Sequence, residues 1–384
     1  MQRIKIEPRA DWVKKVEELG FLYHSLDSIY WDERAYYSFS SKEIDELEAT
    51  TSELYDMCLA AAQHVIDKDL FGRLGIAPKW KDYIINSWNN EDPALYGRFD
   101  LRYDGKSPAK LYEFNGDTPT SLLEASVIQW YWLQDFDKSK DQFNSIHEKL
   151  IAYWTFLRPY LKDPNTIHFA CMQSSIEDSV TVQYMRDTAE QAAYKTFFMD
   201  MSDIGWDYER NLWADLDGNE MKNIFKLYPW EWMTADNEEF SKFLAGNTST
   251  CWIEPPFKML LSNKGILPIL WELYPNHKNL LPAYFSDDDA NILKLSDHHA
   301  IKPLFSREGA NIILKGSGVD VQTPGDYGKE GSIVQDLCPL PNFDGNYPVI
   351  GSWIIGQQPA GMGIRESDSL ITTNTSRFIP HFFE

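Results

Sequence analysis

Apolar residues recur at helical spacing through most of the first third of the chain. Residues 11–19 are one such stretch, and Gly20 follows directly, which predicts an amphipathic helix that ends at the glycine. Ser40 and Glu43 then have the spacing of a capping box, which predicts the start of a longer helix. The apolar stripe of this second helix consists of Ile44, Leu47, Leu54, Cys58, Ala61 and Val65.

Between residues 97 and 115 the spacing changes to a period of two. Phe99, Leu101 and Tyr103 alternate with charged residues, and residues 111–115 alternate again after the turn signal Asp104-Gly105. This pattern predicts a β-hairpin. A symmetric turn places Asp100 opposite Glu113 and Arg98 opposite Asn115.

The polar face of this hairpin is a candidate metal site. Two facing carboxylates, Asp100 and Glu113, repel each other, and a hard cation between them would remove that cost. Mg²⁺ favours a few side-chain oxygens completed by water and substrate phosphate, and Arg98 would stabilise a phosphoryl group in transfer. An ordinary solvated strand face explains the same alternation, so both interpretations stay open here.

The rest of the chain mixes helices and strands. Helix is predicted from Leu122 to Tyr160 with a break near 135–141, followed by a βαβ unit without the GxGxxG of a dinucleotide site. The unit comprises Thr166–Cys171, Glu177–Gln191 and Tyr194–Asp200. Later strands are predicted at Ala300–Pro303, Asn311–Leu314, Ser332–Gln335, Val349–Ile355 and Met362–Arg365. This order predicts an α/β (α+β) enzyme with several lobes.

The composition of the chain limits the classes of binding partner that it favours. The 384 residues have a formal net charge of −22, which makes nucleic acid a poor partner because phosphate binding needs clustered basic residues. A cationic small molecule would be attracted to such a surface, although acidity also serves solubility alone. No secretory or membrane segment is visible, so we expect a cytoplasmic protein without a membrane partner. The four cysteines contain no CxxC, and neither a disulfide framework nor a zinc site is expected.

Three further segments contain polar residues beside glycines or in tight turns. Residues 116–121 form a hydroxyl-rich turn before an apolar stretch, suited either to an anion or to capping a helix. Lys302 and the loop 306–311 are suited to covering phosphates, as is Lys264, although single lysines are usually solvated. Glycines around Arg365 would allow close approach to a ligand, or form only an exposed turn.

Taken together, these motifs resemble the synthetase domain of the glutathionylspermidine synthase family. The order and spacing agree from about residue 10 to the C-terminus, and the resemblance is greatest to single-domain bacterial members described as acid–amine ligases. The matching segments are Tyr96-Gly97-Arg98-Phe99-Asp100, Glu113-Phe114-Asn115-Gly116-Asp117-Thr118-Pro119-Thr120-Ser121, Ser262-Asn263-Lys264, Lys302-Pro303-Leu304-Phe305-Ser306-Arg307-Glu308-Gly309, Val334-Gln335 and Gly363-Ile364-Arg365-Glu366.

The resemblance implies an ATP-grasp fold of the glutathionylspermidine/glutathione synthetase type, with a pre-ATP-grasp βαβ lobe and a mobile lid. It implies one module over residues 1–384. Its approximate parts are a helical lobe with the metal-binding hairpin at 1–160, the pre-ATP-grasp lobe at 161–245, an ATP-binding lid at 246–340, and a return to the core sheet at 341–384.

The resemblance also implies roles for individual residues, with ATP as substrate and Mg²⁺ as cofactor. The positions around the reacting groups are Arg98 and Arg365, and the metal positions are Asp100, Glu113 and Asn115. The ATP positions are Lys264, Lys302, Ser306, Gly309 and Gln335. The substrate positions are Thr118 and Thr120 for a glutathione-like acid, and Glu177 and Asp178 for the amine.

The implied activity is amide formation between a small carboxylic acid and an amine through an acyl phosphate. An ATP-grasp ATPase or phosphotransferase, and a non-catalytic binding homologue, are the alternatives. The amidase activity of bifunctional family members is not expected. Arg377 falls where polyamine-binding members are acidic, which argues against a polyamine. The sequence gives no oligomeric state.

Overall fold

The computed structural model describes residues 1–25, 28–235, 238–316 and 319–384. The helices of this part of the chain are α1 Trp12–Glu18, α2 Ser41–Lys68, α3 Lys81–Asn89, α4 Gln129–Phe136, α5 Ile146–Leu157, α6 Ile176–Gln191, α7 Trp230–Ala235, α8 Glu238–Leu244, α9 Ile266–Leu273 and α10 Asp289–Ile292. The strands are β1 Gln2–Lys5, β2 Ala35–Phe39, β3 Tyr96–Arg102, β4 Lys110–Asn115, β5 Thr166–Cys171, β6 Lys195–Asp200, β7 Gly205–Asp207, β8 Leu212–Ala214, β9 Asn223–Leu227, β10 Cys251–Ile253, β11 Ala283–Phe285, β12 His299–Pro303, β13 Ile313–Gly316, β14 Val319–Gln322, β15 Ser332–Asp336, β16 Tyr347–Ile355, β17 Gln358–Ser367, β18 Arg377–Ile379 and β19 His381–Phe383.

The first two predicted helices are confirmed. Helix α1 ends at Glu18, and Gly20 follows with a φ of 84°. At the start of α2 the Ser40 hydroxyl accepts the backbone N–H of Glu43, while the Glu43 carboxylate accepts the backbone N–H of Ser40 at 2.8 Å. All six residues of the predicted stripe are buried, so α2 forms because one apolar face packs into the core.

A five-stranded antiparallel sheet in the order β18-β17-β16-β3-β4, called the core sheet below, contains the predicted hairpin. Its register is as predicted: Arg98 pairs with Asn115, and Asp100 pairs with Glu113. The connection is longer than the tight turn that the sequence indicated, because it spans residues 103–109. The Asp104 carboxylate accepts two backbone N–H groups within this loop.

Helices cover the core sheet on both faces. Ile350 and Ile354 of β16 belong to the same buried cluster as α2, whereas Trp353 and Ile355 belong to the cluster that includes α5. Since side chains alternate across a strand, the two helices lie on opposite faces. No helix in the described part of the chain has the length and apolar character that a bilayer span requires.

A parallel sheet in the order β10-β9-β5-β6 contains the predicted βαβ unit, which is confirmed. Strand β6 begins one residue later than predicted because the backbone N–H of Tyr194 donates to Ala189 and closes helix α6. Strand β10, from the segment predicted to belong to the lid, pairs with β9 instead and extends this sheet.

A second antiparallel sheet, called the outer sheet, has the order β11-β15-β12-β13-β14. The predicted strand at 311–314 is shifted, since β13 spans Ile313–Gly316. The reason is that Asn311 has a φ of 54° and its amide oxygen accepts the backbone N–H of Tyr327. Asn311 therefore belongs to the preceding turn.

The helix predicted from 122 to 160 is divided into α4 and α5, with the break extending to Ser145. Before α4 the backbone forms a wider π-type turn over Glu124–Ile128. The Ser126 hydroxyl donates to Leu122 O and the Gln129 amide donates to Ala125 O, both at 2.6 Å. These side chains supply hydrogen bonds to carbonyl groups in the irregular turn.

Candidate functional site

One cleft is lined by residues from the core sheet, the outer sheet and the start of α6. All fourteen residues singled out from the sequence line it, namely Arg98, Asp100, Glu113, Asn115, Thr118, Thr120, Glu177, Asp178, Lys264, Lys302, Ser306, Gly309, Gln335 and Arg365. They come from segments far apart in the chain, so the tertiary fold brings them together.

Asp100 of β3 lies between two arginines. Arg98 Nε donates to its carboxylate at 2.7 Å, and Arg365 Nη2 of β17 donates at 2.5 Å. Arg98 also donates to Thr120 O at 2.7 Å and so connects the hairpin to the following turn. Burial by itself would lower the pKa of Arg98, but the neighbouring Asp100 carboxylate raises it, and Arg98 therefore stays charged.

Gly351 makes room for the Arg98 side chain. It lies in β16 and pairs with Asp100 of the adjacent strand β3, and a Cβ at this position would lie 2.9 Å from Arg98 Cδ. Because that distance is shorter than real Cβ contacts, a side chain there would displace the arginine. The glycine in β16 is thus explained by close approach of a functional side chain.

Glu113 of β4 faces Lys264, whose ammonium lies 2.9 Å from the carboxylate. Burial would raise the pKa of Glu113, but Lys264, Lys302 and Arg365 outweigh it and lower that pKa to about 2. The carboxylate repulsion expected from the sequence is therefore offset by basic side chains of the protein itself. Repulsion alone does not require a metal here.

Lys302 enters the cleft from the outer sheet. Its ammonium donates to Gln335 Oε1 at 2.8 Å and to Tyr112 O at 3.0 Å. Burial lowers its pKa to about 8, an effect that Glu113 opposes and Lys264 strengthens. An anion bound nearby would stabilise the charged form.

The loop 306–311 closes one side of the cleft. The Ser306 hydroxyl donates to Pro303 O, and Ser306 O accepts the Lys264 ammonium at 2.5 Å. Gly309 has a φ of 72°, and a Cβ there would lie 2.6 Å from Thr372 O. Glycine is thus required at this position.

Arg307 links this loop to two other segments of the fold. It donates to Thr118 Oγ1 at 2.6 Å and to the Glu231 carboxylate of α7 at 2.7 Å. Sequence reasoning placed Arg307 in the loop without giving it a role. The sequence feature that could have indicated a role for Arg307 is a basic residue beside Ser306 in a glycine-containing loop.

We expect Arg307→Gln to loosen the loop. Hydrogen bonds to charged groups are worth about 1.5–3 kcal/mol, so the loop should open more easily and protease cleavage within 306–311 should accelerate. Glu231→Gln should have a smaller effect in the same direction because it leaves the bond to Thr118, and the double variant should add little to Arg307→Gln. Unchanged cleavage in both single variants would contradict this.

The remaining predicted residues lie where the parallel sheet meets the cleft. Glu177 and Asp178 begin α6, and the Ser175 hydroxyl caps the helix by accepting the backbone N–H of Asp178. Burial raises the pKa of both carboxyl groups, with that of Asp178 at about 6, and Glu308 reinforces the effect. A cation bound at this end would stabilise the ionised form of both carboxyl groups and lower their pKa.

Asp100, Glu113 and Asn115 offer two carboxylates and an amide oxygen, a donor set suited to Mg²⁺. All three line the cleft in register on neighbouring strands. Asn115 Oδ1 also accepts the backbone N–H groups of Asp117 and Thr118, which fixes its orientation. No group of three or more His, Cys, Asp and Glu side chains suited to a metal occurs among the described residues, and this candidate site has only two carboxylates.

The sequence profile of the glutathionylspermidine synthase preATP-grasp family matches residues 3–384. The chain belongs to this family. A Haemophilus influenzae protein of inferred acid–amine ligase activity is 41% identical over the whole length of both chains. The trypanothione synthetase of Crithidia fasciculata is 28% identical over 85% of this chain, and the bifunctional glutathionylspermidine synthetase/amidase of Escherichia coli is 27% identical over 96%. The chain spans 53% and 63% of those two longer relatives.

A solved structure shows the same fold. A glutathione synthetase-like effector from Globodera pallida superposes with a TM-score of 0.60 over 99% of this chain and 98% of its own, at 10% identity. The family and fold predicted from the sequence are therefore confirmed. This member of the glutathionylspermidine synthase family is a ligase that forms carbon–nitrogen bonds.

Sequence reasoning missed several residues of the cleft wall. Tyr30, Met172 and Trp232 line it, but nothing in their local spacing separates them from packing residues. Arg377, predicted to argue against a polyamine, lies outside the cleft lining and faces the carboxylates of three residues, Asp32, Glu366 and Asp368. Its charge is offset there, so the structure gives that argument no support.

Proposed function

We propose that the protein uses ATP to convert a carboxylic acid to an acyl phosphate and then transfers the acyl group to an amine. One observation supports this above the others. Five basic side chains line a single cleft in a chain of net charge −22, namely Arg98, Lys264, Lys302, Arg307 and Arg365. Six acidic residues line the cleft as well, so these five side chains act as local donors to the oxygens of a triphosphate and a carboxylate rather than as a net positive charge.

In this proposal Lys264 and Lys302 bind the phosphates, while Gln335 and the apolar wall beside it hold the base. Arg98 and Arg365 stabilise the phosphoryl group in transfer from ATP to the acid. Asp100, Glu113 and Asn115 would hold Mg²⁺, which neutralises charge on the phosphates when bound. Loop 306–311 then excludes water from the acyl phosphate, with Arg307 fastening it closed.

The two substrates would enter from the other end of the cleft. Thr118 accepts the Arg307 guanidinium through its hydroxyl group, Thr120 contacts Arg98 through its carbonyl oxygen, and both threonines are proposed to orient the acid. Glu177 and Asp178 attract the amine as a cation before it is deprotonated. The names of the longer relatives suggest glutathione as the acid and a polyamine as the amine, and these are the first pair to test.

The test is a screen of acid and amine pairs for ADP release, beginning with glutathione and spermidine in the presence of Mg²⁺. We expect ADP release to depend on the acid, and added hydroxylamine to yield a hydroxamate of that acid. A stable phosphorylated acid without hydroxamate would indicate a phosphotransferase. ATP binding without turnover in the whole screen would indicate a non-catalytic homologue.

A further inference from the structure

A buried carboxylate lies behind the amine end of the cleft. Glu124 has no exposed surface and begins the π-type turn before α4. Its Oε1 accepts the hydroxyl of Tyr30 at 2.7 Å and that of Tyr23 at 3.0 Å. Its Oε2 is buried without a hydrogen-bond partner among the described residues. A buried polar atom left unsatisfied is costly, so packing alone does not explain this glutamate.

Tyr30 connects Glu124 to the cleft. It lines the cleft, whereas Glu124 and Tyr23 are absent from the lining among the residues described. The Tyr30 hydroxyl also lies 3.1 Å from Ser121 Oγ, at the turn that contains Thr120. One phenol therefore contacts both the cleft and the buried carboxylate.

Glu124 can exchange a proton near neutral pH. Burial and the Glu177 carboxylate of α6 together raise the pKa of Glu124 to about 7, while the two tyrosine hydroxyl groups oppose the rise. Burial and Glu124 together raise the pKa of Tyr23 and Tyr30 well above the usual value, so both phenols stay protonated. The titratable and charged groups that face this cluster are Tyr23, Tyr30, Glu177 and, towards Tyr30, Arg98.

We propose that Glu124 accepts the proton of the incoming amine through the hydroxyl group of Tyr30. This inference rests on the proposed ligase function and deepens it. The N–H bond of the ammonium breaks, Tyr30 takes that proton as its own O–H proton passes to Glu124 Oε1, and the amine becomes a neutral nucleophile. The amine then forms the C–N bond as the C–O bond to phosphate breaks, and its second proton leaves with the phosphate. Glu124 returns its proton to solvent along the same path.

Comparing two acyl acceptors, spermidine and hydroxylamine, distinguishes deprotonation of the amine from activation of the acid. Spermidine arrives as a cation and must lose a proton, whereas hydroxylamine is already neutral at pH 7. With glutathione as the acid, Glu124→Gln should lose at least about a hundredfold in amide formation with spermidine, the usual contribution of a proton-accepting group. Hydroxamate formation should change little, because it does not need the relay.

Tyrosine variants provide a matched pair. Tyr30→Phe removes the hydroxyl group that reaches the cleft and should reproduce the Glu124→Gln defect. Tyr23→Phe removes the other phenol on the same carboxylate oxygen. The ratio of its rates with spermidine and with hydroxylamine should stay close to that of the wild type. Equal losses in both variants would show a structural role and overturn the proposal.

The pH dependence gives a second readout. The carboxylate is the accepting form, so the wild-type rate with spermidine should rise as pH passes through about 7, and Glu124→Gln should lose this rise. Infrared difference spectra of the two proteins should show a carboxylic acid band that disappears over the same range. A band that does not titrate, or an unchanged profile, overturns the inference. If the wild type forms neither product, the ligase proposal itself fails for this pair.

Discussion

Glu113→Gln is expected to reduce ATP turnover by at least about a hundredfold while leaving the protein folded. The substitution keeps the shape of the side chain and removes its charge. It also leaves Lys264 with a partner, because that ammonium donates to Ser306 O as well. The loss would therefore report on the proposed Mg²⁺ position rather than on the stability of the cleft. Steady-state ADP release over a range of Mg²⁺ concentrations measures it, with circular dichroism as the check on folding.

Asp104→Asn is the matched control for this variant. Asp104 lies in the connection of the same hairpin, outside the cleft lining, and an asparagine there still accepts backbone N–H groups. We expect normal turnover. Normal turnover and unchanged Mg²⁺ dependence in Glu113→Gln itself would refute the metal assignment and leave only the binding role of the surrounding cations.

The second large effect concerns stability. Lys226 of β9 and Asp117 form an ion pair at 2.7 Å with side chains 0% and 1% exposed. Asp117 also accepts the backbone N–H of Trp230 at 3.0 Å. Lys226→Met leaves the carboxylate buried with its charge unpaired, and we expect the free energy of unfolding to fall by about 3–5 kcal/mol. Urea denaturation measures the change.

Two comparisons sharpen this expectation. The double variant Asp117→Asn with Lys226→Met removes both charges, and its cost should be smaller than the sum of the single costs. Lys5→Met breaks the exposed pair with Asp344, whose side chains are 71% and 85% exposed, and it should cost about 0–1 kcal/mol. A cost for Lys226→Met as small as that of Lys5→Met would show that the buried pair contributes little.

The hairpin was predictable because its information is local. Alternation with a period of two fixes which side chains share a strand face, and a turn signal between the strands fixes their direction. Alternation and a symmetric turn predicted the pairing of Asp100 with Glu113, and the structure confirms it. The register also depends on the length of the connection, residues 103–109, which the turn signal alone did not determine. The capping box at Ser40 was readable for the same reason, since its partners are three residues apart.

The ends of helices and strands were less predictable where the backbone conformation of a single residue decides them. Asn311 has apolar neighbours that suit a strand, but its left-handed φ places it in a turn. The break between α4 and α5 is longer than the sequence suggested. Local propensity differs little between these alternatives, and tertiary contacts decide between them.

The sequence by itself determined the family, the main helices and strands, and a set of polar residues that share one cleft. Only the tertiary structure decided the partners of those residues. Arg365 contacts Asp100 from 265 positions away, and Lys226 contacts Asp117 from 109. Tyr30 reaches Glu124 across 94 positions. Periodicity reports on neighbours within a helix or strand, whereas these contacts join different segments of the fold, and no local pattern encodes which charges meet.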